Sequence, residues 1–93
     1  MFERILKRMR EKVRTRQYVM TRHARKEMND EGLTIFDVEH SILTGEIRER
    51  QKDRVTAEWK YRIRAETVEG SEVEVIAKLS PTGKLVIITM YVL

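Results

Sequence analysis

The chain predicts an α+β fold, with three N-terminal helices packed on one face of a four-stranded antiparallel meander sheet. Three observations carry that expectation. Apolar residues recur at helical spacing as far as Thr44 and alternate with polar ones in the runs that follow. Gly32 and Gly45 stand where two helices must stop. The turns Val68-Glu69-Gly70-Ser71 and Ser80-Pro81-Thr82-Gly83 then separate the alternating runs. Helices grouped ahead of strands are the order of a two-layer α+β domain. A chain of 93 residues buries roughly two-thirds of its unfolded surface, enough for one core, so 1–93 reads as a single domain.

The first helix runs from Phe2 to about Arg14. Phe2, Ile5, Leu6, Met9 and Val13 stay within about 100° of arc, and Arg4, Lys7, Arg8 and Arg14 fall opposite. Residues 1–16 are thus a basic amphipathic helix, and 18–92 a helix–helix–four-strand core. Gln17 to Met20 reads as a short extended link. Thr21 caps a second helix, Arg22 to Glu31, with Gly32 in the C′ position. Thr34, with Asp37 three residues on, opens a third helix, Ile35 to about Thr44, in the manner of a capping box.

Glu46 to Lys52 is a polar edge strand. Glu58 to Thr67 alternates, with Trp59, Tyr61, Ile63 and Ala65 on one face and Lys60, Arg62, Arg64 and Glu66 on the other. Glu72 to Leu79 repeats the pattern, with Val73, Val75, Ala77 and Leu79 inward. Leu85 to Val92 is nearly all apolar, as suits a central strand covered on both sides. The rows headed by Trp59, Val73 and Val86 are expected to take the helices. The outer face then carries Lys60, Arg62, Arg64, Lys78, Thr89 and Tyr91. On this reading Trp59 and Tyr61 point into the core and are no platforms for base stacking.

Composition excludes several function classes. No apolar run approaches the ~18 residues of a membrane span. The stretch after Met1, FERILKRMREKVRTR, has no apolar segment of a signal peptide. The absence of cysteine rules out disulfides, thiolate nucleophiles, iron–sulfur clusters and zinc–thiolate sites, and suits a cytoplasmic protein. Two histidines are a poor metal set, so no metal and no cofactor is expected. There is no glycine-rich phosphate loop, and nothing couples Ser41 or Ser71 to a base. High charge with one Asn and two Gln leans toward the composition of thermophilic proteins.

Charge is unevenly placed. Residues 1–26 hold ten Lys or Arg against two Glu, a net of +8, and residues 27–93 hold nine against thirteen acids, a net of −4. A basic end on an acidic body is the footprint of a polyanion partner, and twelve of the nineteen cations are Arg, whose fork suits phosphate. The plainer reading is the solvated face of a small helix.

His23 is the leading candidate for acid–base chemistry. It lies in the first helical turn within Arg22-His23-Ala24-Arg25-Lys26, where the helix N-terminus and neighbouring cations favour a neutral ring. Metal-free RNA cleavage needs a base for the 2′-hydroxyl, cations for the phosphorane and an acid for the leaving oxygen. His23, Arg62 and Tyr91 can fill those roles, with Arg22, Arg25, Lys60, Lys78 and Thr89 as nucleic-acid contacts. Glu58, Glu66, Glu72 and Glu74 share the outer sheet face, so a surface of cross-strand ion pairs is the alternative. A helix-turn-helix around Gly32-Leu33-Thr34 is the weakest reading, because its second helix bears Asp37 and Glu39 and no Lys or Arg.

Thr21-Arg22-His23-Ala24-Arg25-Lys26-Glu27-Met28, Glu31-Gly32-Leu33-Thr34, Tyr61-Arg62 and Ile87-Ile88-Thr89-Met90-Tyr91 together resemble the family called domain of unknown function 4258. The resemblance covers roughly residues 18–92. It implies a compact helix-then-sheet fold similar to RelE/ParE-like or barnase/EndoU-like toxins, with His23, Arg62, Thr89 and Tyr91 at the family's functional positions. The function it implies is a toxin-type, metal-independent endoribonuclease or RNA-binding protein, with RNA and an acidic antitoxin as partners. The alternative is a non-catalytic module that binds protein or RNA, or that forms a homodimer through its first helix.

Overall fold

A computed structural model describes residues 1–93. In chain order the elements are α1 (Glu3–Arg14), β1 (Tyr18–Met20), α2 (Arg22–Asp30), α3 (Ile35–Thr44), β2 (Glu46–Lys52), β3 (Trp59–Glu66), β4 (Glu72–Leu79) and β5 (Leu85–Val92). The five strands form one mixed sheet in the order β1-β5-β4-β3-β2. No helix is long and apolar enough to cross a membrane.

The sheet departs from the four-stranded antiparallel meander expected of the sequence. Strands β2 to β5 do form that meander, but β1 adds a fifth strand, parallel to β5, in the register Tyr18↔Leu85, Val19↔Val86 and Met20↔Ile87. Three residues are too few to show an alternation, and their partner lies far along the chain, so Gln17 to Met20 reads as a mere link. The amides of Leu85 and Thr21 lengthen the pairing, donating to the carbonyls of Gln17 (3.1 Å) and Ile87 (3.0 Å). Strand β5 is therefore interior to the sheet, which accounts for its nearly unbroken apolar sequence.

A bulge in β5 corrects the expected facing. Ala77 pairs with Ile87 and Ile76 with Thr89, so Ile88 is the extra residue. The buried row is Leu85, Ile87 and Met90, not the one that starts at Val86. Strict alternation would place Thr89 and Tyr91 in the same row as Leu85 and Ile87, inside the core. The bulge turns both onto the opposite face.

Helices α1 and α3 pack on the row formed by Tyr61, Ile63, Val75, Ala77, Ile87 and Met90. Met9 and Val13 of α1 are buried there, with Phe2, Ile5 and Leu6 packed against them, so the apolar stripe of α1 docks on the chain's own core. Arg10 satisfies the open end of α3, donating from Nε to the Ile42 carbonyl (3.1 Å) and from Nη2 to that of Gly45 (2.8 Å).

The start of α3 is fixed by the expected capping box, and Asp37 does more than cap. One carboxylate oxygen accepts from the Thr34 amide (2.9 Å) and the other from the Val68 amide (3.0 Å), tying α3 to the turn between β3 and β4. These amides, Thr34's first, hold its carboxyl below the ordinary range. Gly45 follows α3 at close quarters. A Cβ there would lie 2.5 Å from the Ser41 carbonyl oxygen and 2.7 Å from both Ala65 Cβ and the Arg64 carbonyl oxygen.

Two outcomes follow. Asp37→Ala is expected to lower the stability to urea by about 2 kcal/mol at neutral pH. Because the folded carboxyl is depressed, that difference is full above the unfolded value near pH ~4 and vanishes as pH falls through the folded one. Gly45→Ala is expected to cost about 1–3 kcal/mol in the same denaturation, from backbone displacement.

Candidate functional site

Thr21 places α2. Its hydroxyl accepts from the Ala24 amide (3.0 Å), capping the helix as the sequence predicts, and donates to the Ile88 carbonyl at the bulge (2.7 Å). The helix therefore lies along β5 beyond the end of β1, with Ala24 fully buried in the core. His23 and Glu27 stand one turn apart on a single flank of α2. His23 Nε2 lies 2.6 Å from Glu27 Oε1, and the same oxygen accepts from the Thr89 hydroxyl. His23 is largely exposed. Its nearest charged neighbour is thus a carboxylate.

The outer sheet face is organised in two cross-strand rows. One runs Glu49, Arg62, Ile76, Thr89, and ends on Glu27 of α2. The other runs Glu46, Arg64, Glu74, Tyr91. Thr89 and Tyr91 are two residues apart on β5, so the rows are about 7 Å from each other. The structure thereby brings His23, Arg62, Thr89 and Tyr91 to one face, as expected of a site.

What those groups touch is less expected. Glu74 is 6 % exposed on this open face because Tyr91, Arg62 and Arg64 close over it. It accepts from the Tyr91 hydroxyl and from Arg62 Nη1 (2.6 Å), and Arg64 Nη1 lies 3.8 Å away. The Tyr91 hydrogen bond, then the arginines, hold the Glu74 carboxyl below its ordinary range against the opposing effect of burial. The same bond, with burial, pushes the Tyr91 phenol up. Arg62 also reaches Glu49 at 3.5 Å, and its partners, Glu74 first, raise it further above an already basic value. Tyr91 is a poor proton donor in this state, and Arg62 is held by two carboxylates.

Lys78 meets the same fate, its Nζ lying 2.7 Å from Glu58. Arg64 pairs with Glu72 at 3.3 Å. Lys60, opposite Gln51 on β2, has no carboxylate partner. Arg22 and Arg25 are exposed and unpaired. Arg25, about 200° round the helix from His23, points away from the sheet face. The four main surface hollows are not lined by His23, Arg62 or Tyr91.

Ion pairing thus differs between α1 and the group of Arg62, Arg64 and Lys78. From Arg4 to Arg25 the chain carries nine Lys or Arg side chains, none in an ion pair with an acidic side chain, and the helical ones on the outside of α1 are open to solvent. On the outer sheet face Arg62, Arg64 and Lys78 are all paired. The carboxylates that do this include Glu58, Glu72 and Glu74, which the sequence places on this face as the source of cross-strand ion pairs. Glu27 was accessible through its i+4 spacing from His23. Glu49, the second partner of Arg62, depends on cross-strand register and was not.

Residues 20–92 match the model of a family described as Domain of unknown function (DUF4258). The chain belongs to that family. No curated protein and no solved structure matches it. The DUF4258 match begins just after α1, yet Met9 and Val13 of that helix belong to the same core as the matched residues. The seven cations from Arg4 to Arg16, none of them in an ion pair, lie outside the family match, and the His23–Glu27–Thr89 group lies within it.

Tyr91→Phe removes one donor from the buried Glu74 carboxylate and is expected to cost about 1 kcal/mol at neutral pH. Since the folded Glu74 carboxyl is depressed, the deficit is present above about pH 4.3 and closes as pH falls below it. Parallel urea titrations of both proteins across that range measure it.

Proposed function

We propose that this chain is a small toxin-type protein directed at RNA, a metal-independent endoribonuclease whose basic end holds the phosphate backbone while His23 moves the proton. The observation that carries this reading is that the outward cations of α1 and the start of α2, Arg4, Lys7, Arg8, Arg14, Arg22 and Arg25, have no acidic partner, while α2 also carries the one histidine held by a carboxylate. Glu27 anchors His23 Nε2 and is itself held by Thr89, leaving Nδ1 to face substrate. A histidine oriented by a carboxylate is suited to take the 2′-hydroxyl proton and return it to the leaving 5′-oxygen. In this reading Arg62 and Tyr91 do not clamp phosphate or donate a proton. They neutralise Glu74 and so shape the face beside His23.

A second reading is an RNA-binding module without cleavage, favoured by one specific observation. Arg62 and Tyr91, the groups expected as clamp and acid, and Lys78, an expected contact, are all engaged by glutamates.

The two separate in one assay. Purified protein is incubated with single-stranded RNA in the presence of a chelator, and induction in a bacterial host is followed for growth and RNA integrity. Cleavage that survives the chelator and falls about 10²-fold or more in His23→Ala is the expected outcome. RNA that is bound, with affinity falling steeply in salt, but left intact assigns the second reading. RNA neither bound nor cut contradicts both.

A further inference from the structure

Trp59, the only tryptophan in the chain, sits in the row of Tyr61, Ile63 and Ala65, yet it is 41 % exposed where those three are buried. The reason is the reach of α1. Phe2 closes edge-on over Tyr61, with ring centroids 6.1 Å apart, and covers the row only that far. Beyond it lies a shallow hollow of about 270 Å³ lined by Ile5, Arg8, Trp59, Leu79 and Pro81 among others. The expectation that Trp59 would lie in the core fails there.

The surroundings of the ring are cationic. Arg50 and Lys52 of β2 stand opposite Tyr61 and Trp59, and their charged ends lie 4.3 Å and 5.6 Å from the indole centroid. Neither has a carboxylate partner, and Arg54 in the following turn is exposed and unpaired. The nearby acids are engaged elsewhere: Asp53 accepts from the amides of Val55 and Thr56, and Glu58 holds Lys78. Two like charges gathered on one exposed ring, with no acid between them, form an arrangement that an anion completes.

We propose that Trp59 is a stacking platform for single-stranded RNA, with Arg50, Lys52 and Arg54 taking the adjoining phosphates and Arg8 carrying the strand onto the free cations of α1. Every nucleobase presents a π-face, so the platform binds without choosing a sequence. It deepens the RNA-directed reading above and rests on it, but it uses none of the residues assigned to proton transfer.

The probe is a 2′-O-methyl oligouridylate of about twelve nucleotides, single-stranded and lacking the hydroxyl needed for cleavage. Binding to the full chain is followed by anisotropy of a labelled oligonucleotide, and stacking by quenching of the lone tryptophan with an unlabelled one. Quenching that tracks binding is the expected result. Trp59→Ala is expected to weaken binding on the order of tenfold, with Trp59→Phe retaining most of the affinity. Replacing Arg50, Lys52 and Arg54 by Gln is expected to reduce the salt slope by about 2, at about 0.7 per phosphate contact. An oligonucleotide that binds while tryptophan emission and the Trp59→Ala affinity stay unchanged overturns the platform and leaves the RNA-directed reading standing. No rise in anisotropy overturns both.

Discussion

One hydroxyl group determines where the candidate site lies. Thr21 caps α2 through its acceptor lone pair and donates its proton to the carbonyl of Ile88, the extra residue of the β5 bulge. Its backbone amide closes the parallel pairing of β1 with β5 in the same step. Strand edge, helix start and bulge therefore meet at one residue. From there the helix brings Glu27 within reach of the hydroxyl of Thr89, the residue next to the carbonyl at which the helix is tethered on β5. The bulge is equally necessary, since without it Thr89 would face the core and Glu27 would have no hydroxyl to hold it. Fold and site are coupled through a few bonds that each serve both.

The electrostatics of the molecule follow from where its carboxylates fall. On the sheet, alternation puts arginine and glutamate on the same face, and antiparallel register sets them side by side, so they neutralise one another. On α1 the two acids, Glu3 and Glu11, are outnumbered, and Glu3 pairs with the N-terminal amine. Exposed ion pairs contribute little stability, generally under about 1 kcal/mol each. Their effect here is to decide which cations are available. The sheet face, richer in candidate catalytic groups, is the less available of the two surfaces. The basic end has no internal anion to satisfy it.

Local structure was the more legible part of the sequence. Gly32 in the left-handed region, the Thr34–Asp37 box and the 3.6-residue stripe of α1 are short-range signals, and each appears where the residues place it. What escaped is what depends on distant chain. The three-residue β1 has no pattern of its own and exists because β5 offers an edge. The apolar run of β5 held the clue, since a strand covered on both sides does not end a sheet. Trp59 obeys its alternation perfectly and is nevertheless exposed, because a row points inward only as far as a helix covers it. Of the site, residue identities were visible through the motif around His23 and the Thr89–Tyr91 pair. Ion pairing by Glu74 was among the readings, but which groups it engages was not visible, because cross-strand neighbours are set by register and the sequence leaves register open.

The central claim is that the unpaired cations of α1, and not the paired ones of the sheet, hold RNA. The most direct measurement is the salt dependence of RNA binding for two charge-neutralised proteins. In one, Arg4, Lys7, Arg8 and Arg14 are replaced by Gln. In the other, Arg62 and Lys78 are replaced together with their partners Glu49, Glu74 and Glu58, so that none of these carboxylates is left without its cation. The slope of log affinity against log salt is expected to fall by about 3 in the first, at about 0.7 per phosphate contact, and to stay unchanged in the second. A slope preserved in the first and lost in the second would contradict the account and return the binding site to the sheet.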